Sequence, residues 1–249
     1  MAVLKANSRL DNRGPPGAVA AAQAARPPAP ARAPFRATHG VTRATFPYAR
    51  PMRSGRRIGV FGGTFDPVHV GHLAAAANAR HAAALDVVLM VVSNRPWQKV
   101  SSRCVTPAPE RLALVGAAVQ GLDWLQVSDI EVRRGGDSYT ADTLVELAAD
   151  HPQDELFLVV GADVAAELGT WERGVELRRL ATLVVVNRPS VDVPAVDPRW
   201  RVVHAGMPAM DISSTDLRER VRDGRPLDFL VPPQAIRYIQ QRGLYSDPR

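Results

Sequence analysis

The sequence predicts an α/β fold: a doubly wound parallel sheet of the Rossmann-like kind, with C-terminal helices and a disordered N-terminal extension. Three observations carry this reading. Short apolar runs alternate with helical segments from Arg57 onward, which is the pattern of βα units in a parallel sheet. Val87 to Val92 is an unbroken apolar run rich in β-branched residues, as expected of a strand covered on both faces. Ile58-Gly59-Val60-Phe61 ends in Gly62-Gly63 just before a helical segment, and doubly wound sheets bind ligands beyond the carboxyl ends of their strands.

The elements follow in order. After the first strand, Leu73 to Leu85 is Ala-rich and reads as a helix, and Val87 to Val92 is the second strand. Pro107 precedes a helix through Glu110, Leu112, Leu114 and Val115, since proline suits a helix start. Leu122 to Val127 reads as a strand, Thr140 to Ala149 as a helix and Leu156 to Val160 as a strand. Val164 to Leu168 and Glu172 to Leu180 read as helical pieces, followed by strands at Leu183 to Val186 and Arg201 to Val203. Two helices close the chain, Ser214 to Val221 and Pro233 to Arg242.

Residues 1–55 form a separate region, ahead of one domain over 56–249. Gly14-Pro15-Pro16-Gly17 and Arg26-Pro27-Pro28-Ala29-Pro30 sustain no regular element. With no core pattern, the segment buries too little apolar area to offset its ordering entropy, so disorder is expected. It lacks the apolar stretch of a secretory signal. Its Arg-rich, acid-poor character resembles an organellar transit peptide, although it is poor in Ser; a tail for an anionic partner is the other open reading.

Charge divides along the same line. The chain of 249 residues carries a net +6, which invites a nucleic-acid reading. However, eleven of its 31 Lys and Arg and one of its 25 acids lie in residues 1–57, leaving 20 bases against 24 acids in the remainder. The folded part is mildly acidic, and nucleic acid is not expected to bind it. One cysteine, Cys104, excludes an intrachain disulfide and fits a reducing compartment, so a cytoplasmic location is expected. No local pattern supports Cys104 as a nucleophile. No stretch reaches the roughly 18 apolar residues of a membrane span.

The densest chemistry sits in the first βα turn, Gly62-Gly63-Thr64-Phe65-Asp66-Pro67-Val68-His69-Val70-Gly71-His72-Leu73. Paired glycines allow positive φ and close backbone approach to a ligand. The helix behind them offers N–H groups and partial positive charge, a seat for phosphate. His69 and His72, three apart, share a face if both lie in the first helical turn, and imidazoles there donate to phosphate oxygens. The spacing is neither Walker A nor the Gly-x-Gly-x-x-Gly dinucleotide turn. A zinc reading of His-x-x-His lacks a third ligand. Taken singly, each residue also has a plain structural explanation as turn, cap or packing group.

This segment resembles the signature of nicotinate-nucleotide adenylyltransferases, of the nucleotidyltransferase α/β-phosphodiesterase superfamily. The resemblance implies that Gly62, Gly63, Thr64 and Phe65 hold ATP and that His69 and His72 contact its phosphates. About 150 residues on, Ile212-Ser213-Ser214-Thr215-Asp216-Leu217-Arg218 resembles the same family's Ile-Ser-Ser-Thr-x-Ile/Leu-Arg motif, which closes on ATP. Ser213 is independently a good N-cap, with Asp216 a box-like partner three residues on. Arg218 lies one turn in, where its fork suits phosphate oxygens. The resemblance thus places Ile212, Ser213, Ser214 and Arg218 on ATP and makes His69, His72 and Arg218 the catalytic set.

Further matches lie between. Ser138-Tyr139-Thr140-Ala141-Asp142-Thr143 is similar to the family's segment beside the nicotinate, which puts Thr140 on the substrate side. Gly161-Ala162-Asp163 with Trp171 resembles its Gly-Ala-Asp and tryptophan pair, implying Asp163 on a ribose hydroxyl or nearby backbone and Trp171 against the pyridine ring. Asn187-Arg188-Pro189 resembles its Arg-Pro segment, which adds Arg188. Pro96-Trp97-Gln98-Lys99 is similar to a substrate loop whose lysine, here Lys99, neutralises phosphate or pyrophosphate; the preceding Ser93-Asn94-Arg95 departs from the family's Val-Pro-Thr type.

The implied reaction joins the AMP half of ATP to nicotinate mononucleotide in NAD biosynthesis. ATP and the mononucleotide are the expected partners, with Mg²⁺ arriving on ATP, no dedicated metal ligands, and a homo-oligomer possible. Phosphopantetheine adenylyltransferases differ by Thr-x-Gly-His where this chain has His69-Val70-Gly71-His72, and flavin adenylyltransferases usually carry a kinase module. A nucleotide sensor without catalysis, and a nucleic-acid binder working through the basic tail, are the readings from other classes.

Overall fold

The computed structural model describes residues 54–96, 105–171, 173–187 and 196–246. Six strands form one sheet: β1 (Arg57–Gly63), β2 (Val87–Val92), β3 (Leu125–Ser128), β4 (Glu155–Gly161), β5 (Ala181–Asn187) and β6 (Val202–Gly206). Their order is β3-β2-β1-β4-β5-β6, and each pairing is parallel. Among the described residues the helices are α1 (Val70–Ala82), α2 (Ala108–Ala118), α3 (Ile130–Arg134), α4 (Thr140–Asp150), α5 (Ala162–Glu167), α6 (Gly174–Leu180), α7 (Ser214–Arg222) and α8 (Pro233–Arg242), with a 3₁₀ turn at Leu168–Thr170.

Strand alternation splits the interior into two cores. Val88, Met90, Val92, Phe157 and Val159 face α1, α2, α7 and α8. Ile58, Val60, Val87, Val91 and Leu158 face α3, α4, α5 and α6. Covered on both faces, the central strands need no polar alternation, which is why they read as continuous apolar runs. Helix α1 buries Ala75, Ala76 and Ala79, side chains small enough to let its backbone lie close to the sheet. At Gly59, a Cβ would come within 2.7 Å of Leu85 Cδ1 and 3.2 Å of Val88 Cγ2, so a larger residue there would force both side chains to shift.

The expected fold class holds, and the departures are local. Helix α1 begins at Val70 rather than Leu73, because His69 caps it in an extended conformation. Leu122 lies in a turn, not a strand: Gly121 takes φ +83° and the Leu122 N–H bonds back to Val119. The five-residue α3 has no counterpart in the sequence reading. Among the described residues no helix is long and apolar enough to cross a membrane.

The topology fixes where a ligand can sit. From β1 the chain builds outward through β2 and β3, then returns to place β4 on the opposite side of β1. Loops leaving the carboxyl ends of β1 and β4 therefore diverge, opening a crevice at this switch point. Both Gly62-Gly63 and Gly161 stand there.

Candidate active site

The loop from β1 to α1 is held from several directions. Gly63 must be glycine, because a Cβ would sit 2.6 Å from the Phe65 ring. Phe65 takes a left-handed φ of +51° and is buried. Its ring packs edge-on to His72, with centroids 5.0 Å apart. His69 is the N-cap and His72 the third helical residue, and their rings overlap at a 3.7 Å centroid separation. The His69 backbone N–H donates to His72 Nδ1 at 3.2 Å. That bond makes Nδ1 the acceptor, so in the neutral ring Nε2 carries the proton and is the donor. Gly71 makes room for the pair, since a Cβ there would lie 3.0 Å from His69 Nδ1.

The helix terminus is partly occupied by the protein itself. The Val70 N–H donates to the Leu230 carbonyl at 2.9 Å, which ties the segment before α8 to the first turn of α1. The backbone therefore offers an anion fewer donors than a bare helix start.

The second motif meets the first across 147 to 152 residues of sequence. Ser214 Oγ donates to the Pro67 carbonyl at 2.9 Å, and Arg218 Nη1 donates to the Asp66 carbonyl at 2.7 Å. A further Arg218 bond, from Nη2 to Thr215 Oγ1 at 3.1 Å, orients the guanidinium. Ser213 caps α7 as expected, accepting from the Asp216 N–H at 3.1 Å. Asp216 does not reach back to complete a box; its carboxylate accepts from Arg220 Nε at 2.7 Å. The N-termini of α1 and α7 thus converge on one loop.

On the α4 and α5 side of that loop lies a cavity of about 660 Å³. Gly62, Gly63, Thr64, Thr140, Asp163 and Trp171 border it. The expected site residues therefore fall into two groups either side of the Gly62-Gly63-Thr64 turn: these six at the cavity, and Phe65, His69, His72, Ile212, Ser213, Ser214 and Arg218 toward α1 and α7. Asp163 is exposed, and a Cβ on Gly161 would crowd its Oδ1 at 2.5 Å, so that glycine leaves room for the carboxylate. Trp171 is half-buried, packed beside the cavity against the core that faces α3, α4, α5 and α6. Lys99 and Arg188 lie outside the described residues.

A family model described as Cytidylyltransferase-like matches residues 60–220. A Saccharopolyspora erythraea protein named “Probable nicotinate-nucleotide adenylyltransferase” is 42% identical over 195 residues, spanning 78% of this chain and 92% of its own length. One of the same name from Frankia casuarinae is 46% identical over 188 residues, spanning 74% and 98%. The chain belongs to the nicotinate-nucleotide adenylyltransferase family. The Plasmodium falciparum nicotinic acid mononucleotide adenylyltransferase complexed with NaAD shares the fold, at a TM-score of 0.61 and 17% identity over 76% of this chain and 97% of that one.

Several residues that support this candidate site escaped the sequence reading. Arg111 is 1% exposed. Its guanidinium donates to the carbonyls of Thr106 (2.7 Å), Thr64 (2.8 Å) and Asn94 (3.1 Å), pinning three loops at once. Asp66, also buried, accepts from the Tyr245 hydroxyl at 2.9 Å and the Thr106 N–H at 3.3 Å. Burial, then the Asp66 charge, push the Tyr245 phenol far above its ordinary pKa, so it stays a donor. Asp66 stands in the quoted motif, but only its three-dimensional partners explain it. Neither Arg111 nor Tyr245 sits in a motif, so no local signal marks them.

Proposed function

We propose that this chain transfers the adenylyl group of ATP to nicotinate mononucleotide, giving nicotinate adenine dinucleotide and pyrophosphate. The observation that carries the proposal is the union of two distant phosphate-type motifs, through the Ser214–Pro67 and Arg218–Asp66 bonds, beside a cavity of nucleotide size. Family membership supplies the reaction class.

The chemistry needs no protein nucleophile. An oxygen of the mononucleotide phosphate attacks the α-phosphorus of ATP, and the bond from that phosphorus to the bridging oxygen breaks as pyrophosphate departs. The protein's task is to hold two anions in line and stabilise charge on the leaving group. In this reading Gly62, Gly63, Thr64 and Phe65 shape the seat for ATP. His69 and His72 donate to its phosphates, and the Ile212-Ser213-Ser214 turn with Arg218 closes over them. Thr140, Asp163 and Trp171 position the mononucleotide, with Lys99 and Arg188 as the cations proposed for its phosphate side. Among the described residues no three His, Cys, Asp or Glu side chains converge to hold a metal ion, so a protein-built Mg²⁺ cage does not fit them. Mg²⁺ belongs to the substrate as Mg·ATP, bound by the triphosphate.

The test is pyrophosphate release from Mg·ATP with nicotinate mononucleotide, nicotinamide mononucleotide or phosphopantetheine as acceptor. Release with the pyridine acceptors and not with phosphopantetheine is expected; the reverse preference refutes the assignment. His72→Ala should lower kcat far more than it raises the KM for ATP, and unchanged turnover would remove His72 from the catalytic set.

A further inference from the structure

One residue of the β1–α1 loop is gripped through both its side chain and its backbone. Asp66 is 1% exposed, and a carboxylate so far from water is costly unless its oxygens are bonded. Oδ1 accepts from the Tyr245 hydroxyl at 2.9 Å, and Oδ2 from the Thr106 N–H at 3.3 Å. The carbonyl of the same residue accepts from Arg218 Nη1 at 2.7 Å. A buried anion and the cation proposed for triphosphate therefore meet at one residue.

That proximity sets up a competition. A guanidinium prefers a carboxylate to a carbonyl, because the charge-assisted bond is the stronger and the fork fits two oxygens at once. Asp66 gives Arg218 its carbonyl, while Tyr245 and Thr106 take the carboxylate. The Thr106 bond is long, so the Tyr245 hydroxyl is the firmer of the two restraints. All three side chains share one electrostatic neighbourhood: burial first, then the Asp66 charge, raise the Tyr245 pKa, and the Arg218 charge opposes them.

The end of the chain is shaped to deliver this hydroxyl. Helix α8 is capped by Gly243 in the left-handed region, with the Leu244 N–H bonded to the Ile239 carbonyl at 3.0 Å. Tyr245 then takes φ +68°, a conformation open to glycine but strained for a side chain. Its ring packs against the core that faces α1, α2, α7 and α8. Packing accounts for the ring, and phenylalanine would serve it equally. It does not account for a hydroxyl brought to a buried carboxylate 179 residues away in sequence.

We propose that Tyr245 is a positioning residue for ATP: its hydroxyl occupies the Asp66 carboxylate and so keeps the Arg218 guanidinium directed at the triphosphate. This rests on the adenylyltransferase reading above. Without the hydroxyl, Asp66 is short of a donor in a buried place, and Arg218, already bonded to the same residue, supplies the replacement. The contact then lost is one to ATP, and acceptor binding stays as it was.

The experiment measures kcat and KM, for ATP and for nicotinate mononucleotide, in the full chain as wild type, Tyr245→Phe, Tyr238→Phe and Tyr245→Phe/Asp66→Asn. Partial loss of one charge-assisted contact predicts that Tyr245→Phe raises KM for ATP about three- to tenfold, with KM for the acceptor unchanged. Tyr238→Phe is the structural control. Its hydroxyl also donates to a carboxylate, Glu110 Oε2 at 2.9 Å between α2 and α8, so its loss lowers the melting temperature and leaves KM for ATP alone. Asparagine at 66 removes the competing charge, so the double variant regains most of the lost ATP affinity, whereas a merely structural bond predicts a further loss. Where the double variant does not fold, the split between the two KM values in Tyr245→Phe decides. An unchanged KM for ATP in Tyr245→Phe, an equal rise for both substrates, or no recovery in a folded double variant overturns the inference while leaving the function standing. No turnover by the wild type overturns both.

Discussion

Replacing Arg111 by Met tests whether the site is organised from beneath. The side chain is fully buried and donates to three carbonyls, of Thr64, Thr106 and Asn94. Methionine fills much of the same volume but offers no donor. Leaving a buried acceptor unsatisfied costs about 1–3 kcal/mol. The three carbonyls lie on neighbouring loops, and relaxation lets water reach some of them, so a total of about 3–5 kcal/mol is expected rather than the full sum. For a domain of this size each kcal/mol moves the melting temperature by about 2–4 °C, which gives a fall of roughly 6–20 °C. Differential scanning calorimetry reads this directly, and Arg111→Lys should fall between, since an ammonium cannot bridge three directions as a guanidinium does. Because Thr64 borders the cavity, KM for the acceptor should rise at temperatures where the variant is still folded. A melting temperature within about 2 °C of wild type, with unchanged kinetics, would refute the reasoning.

Two glycine substitutions should separate loop packing from site access. Gly63→Ala drives a Cβ into the Phe65 ring, which is buried and packed on His72; melting should show a loss of about 1–3 kcal/mol, and kcat should fall with it. Gly161→Ala meets only the end of the Asp163 side chain, so stability should change by less than about 1 kcal/mol while KM for the mononucleotide rises; a normal KM would detach Asp163 from substrate. Arg218→Lys keeps the charge but cannot hold both the Asp66 carbonyl and Thr215, and kinetics should show KM for ATP up about tenfold, against no change if the fork is dispensable. The Arg242 guanidinium, and then the Tyr238 hydroxyl, hold the Glu110 carboxyl below its ordinary range, against a smaller opposing effect of burial. A depressed carboxylate stabilises the fold above its unfolded pKa and loses that contribution as pH falls through the folded value. Glu110→Gln should therefore melt below wild type at pH 7, and the gap should close below about pH 4; a gap independent of pH would contradict the ion pair.

What the sequence revealed, and what it concealed, depends on the range of the interactions. The paired glycines, His69 and His72, and the capped start of α7 were legible because each is a short contiguous string whose backbone role follows from neighbouring residues. The parallel sheet was legible because strands buried on both faces cannot hide their apolar runs. Arg111 was not: it sits on a helix next to Glu110, a pattern that reads as a solvated charged face. Only the loops that fold over it show otherwise. The Asp66–Tyr245 bond joins residues 179 apart, beyond any local signal. Asp216 had the spacing of a capping box, but Arg220 at i+4 offered it a charge partner, and a charged donor outcompetes a backbone N–H. Helix α3, at five residues, is too short to display a period.

The order of the chain has a consequence for its manufacture. By Gly206 the growing polypeptide has supplied all six strands and the described walls of the cavity. It has not yet supplied Arg218, Leu230 or Tyr245, whose bonds to Asp66 and Val70 fasten the loop between β1 and α1. A nascent chain can thus lay down its sheet while two of the helices that cover one face of it, and the contacts proposed for triphosphate, are still missing. A product halted between 207 and 213 would lack Leu217, Ala235 and Ile239 from one of the two cores, as well as those bonds. Quality control that senses exposed core would therefore catch such a fragment, and its failure to be stabilised by ATP would mark it a second time.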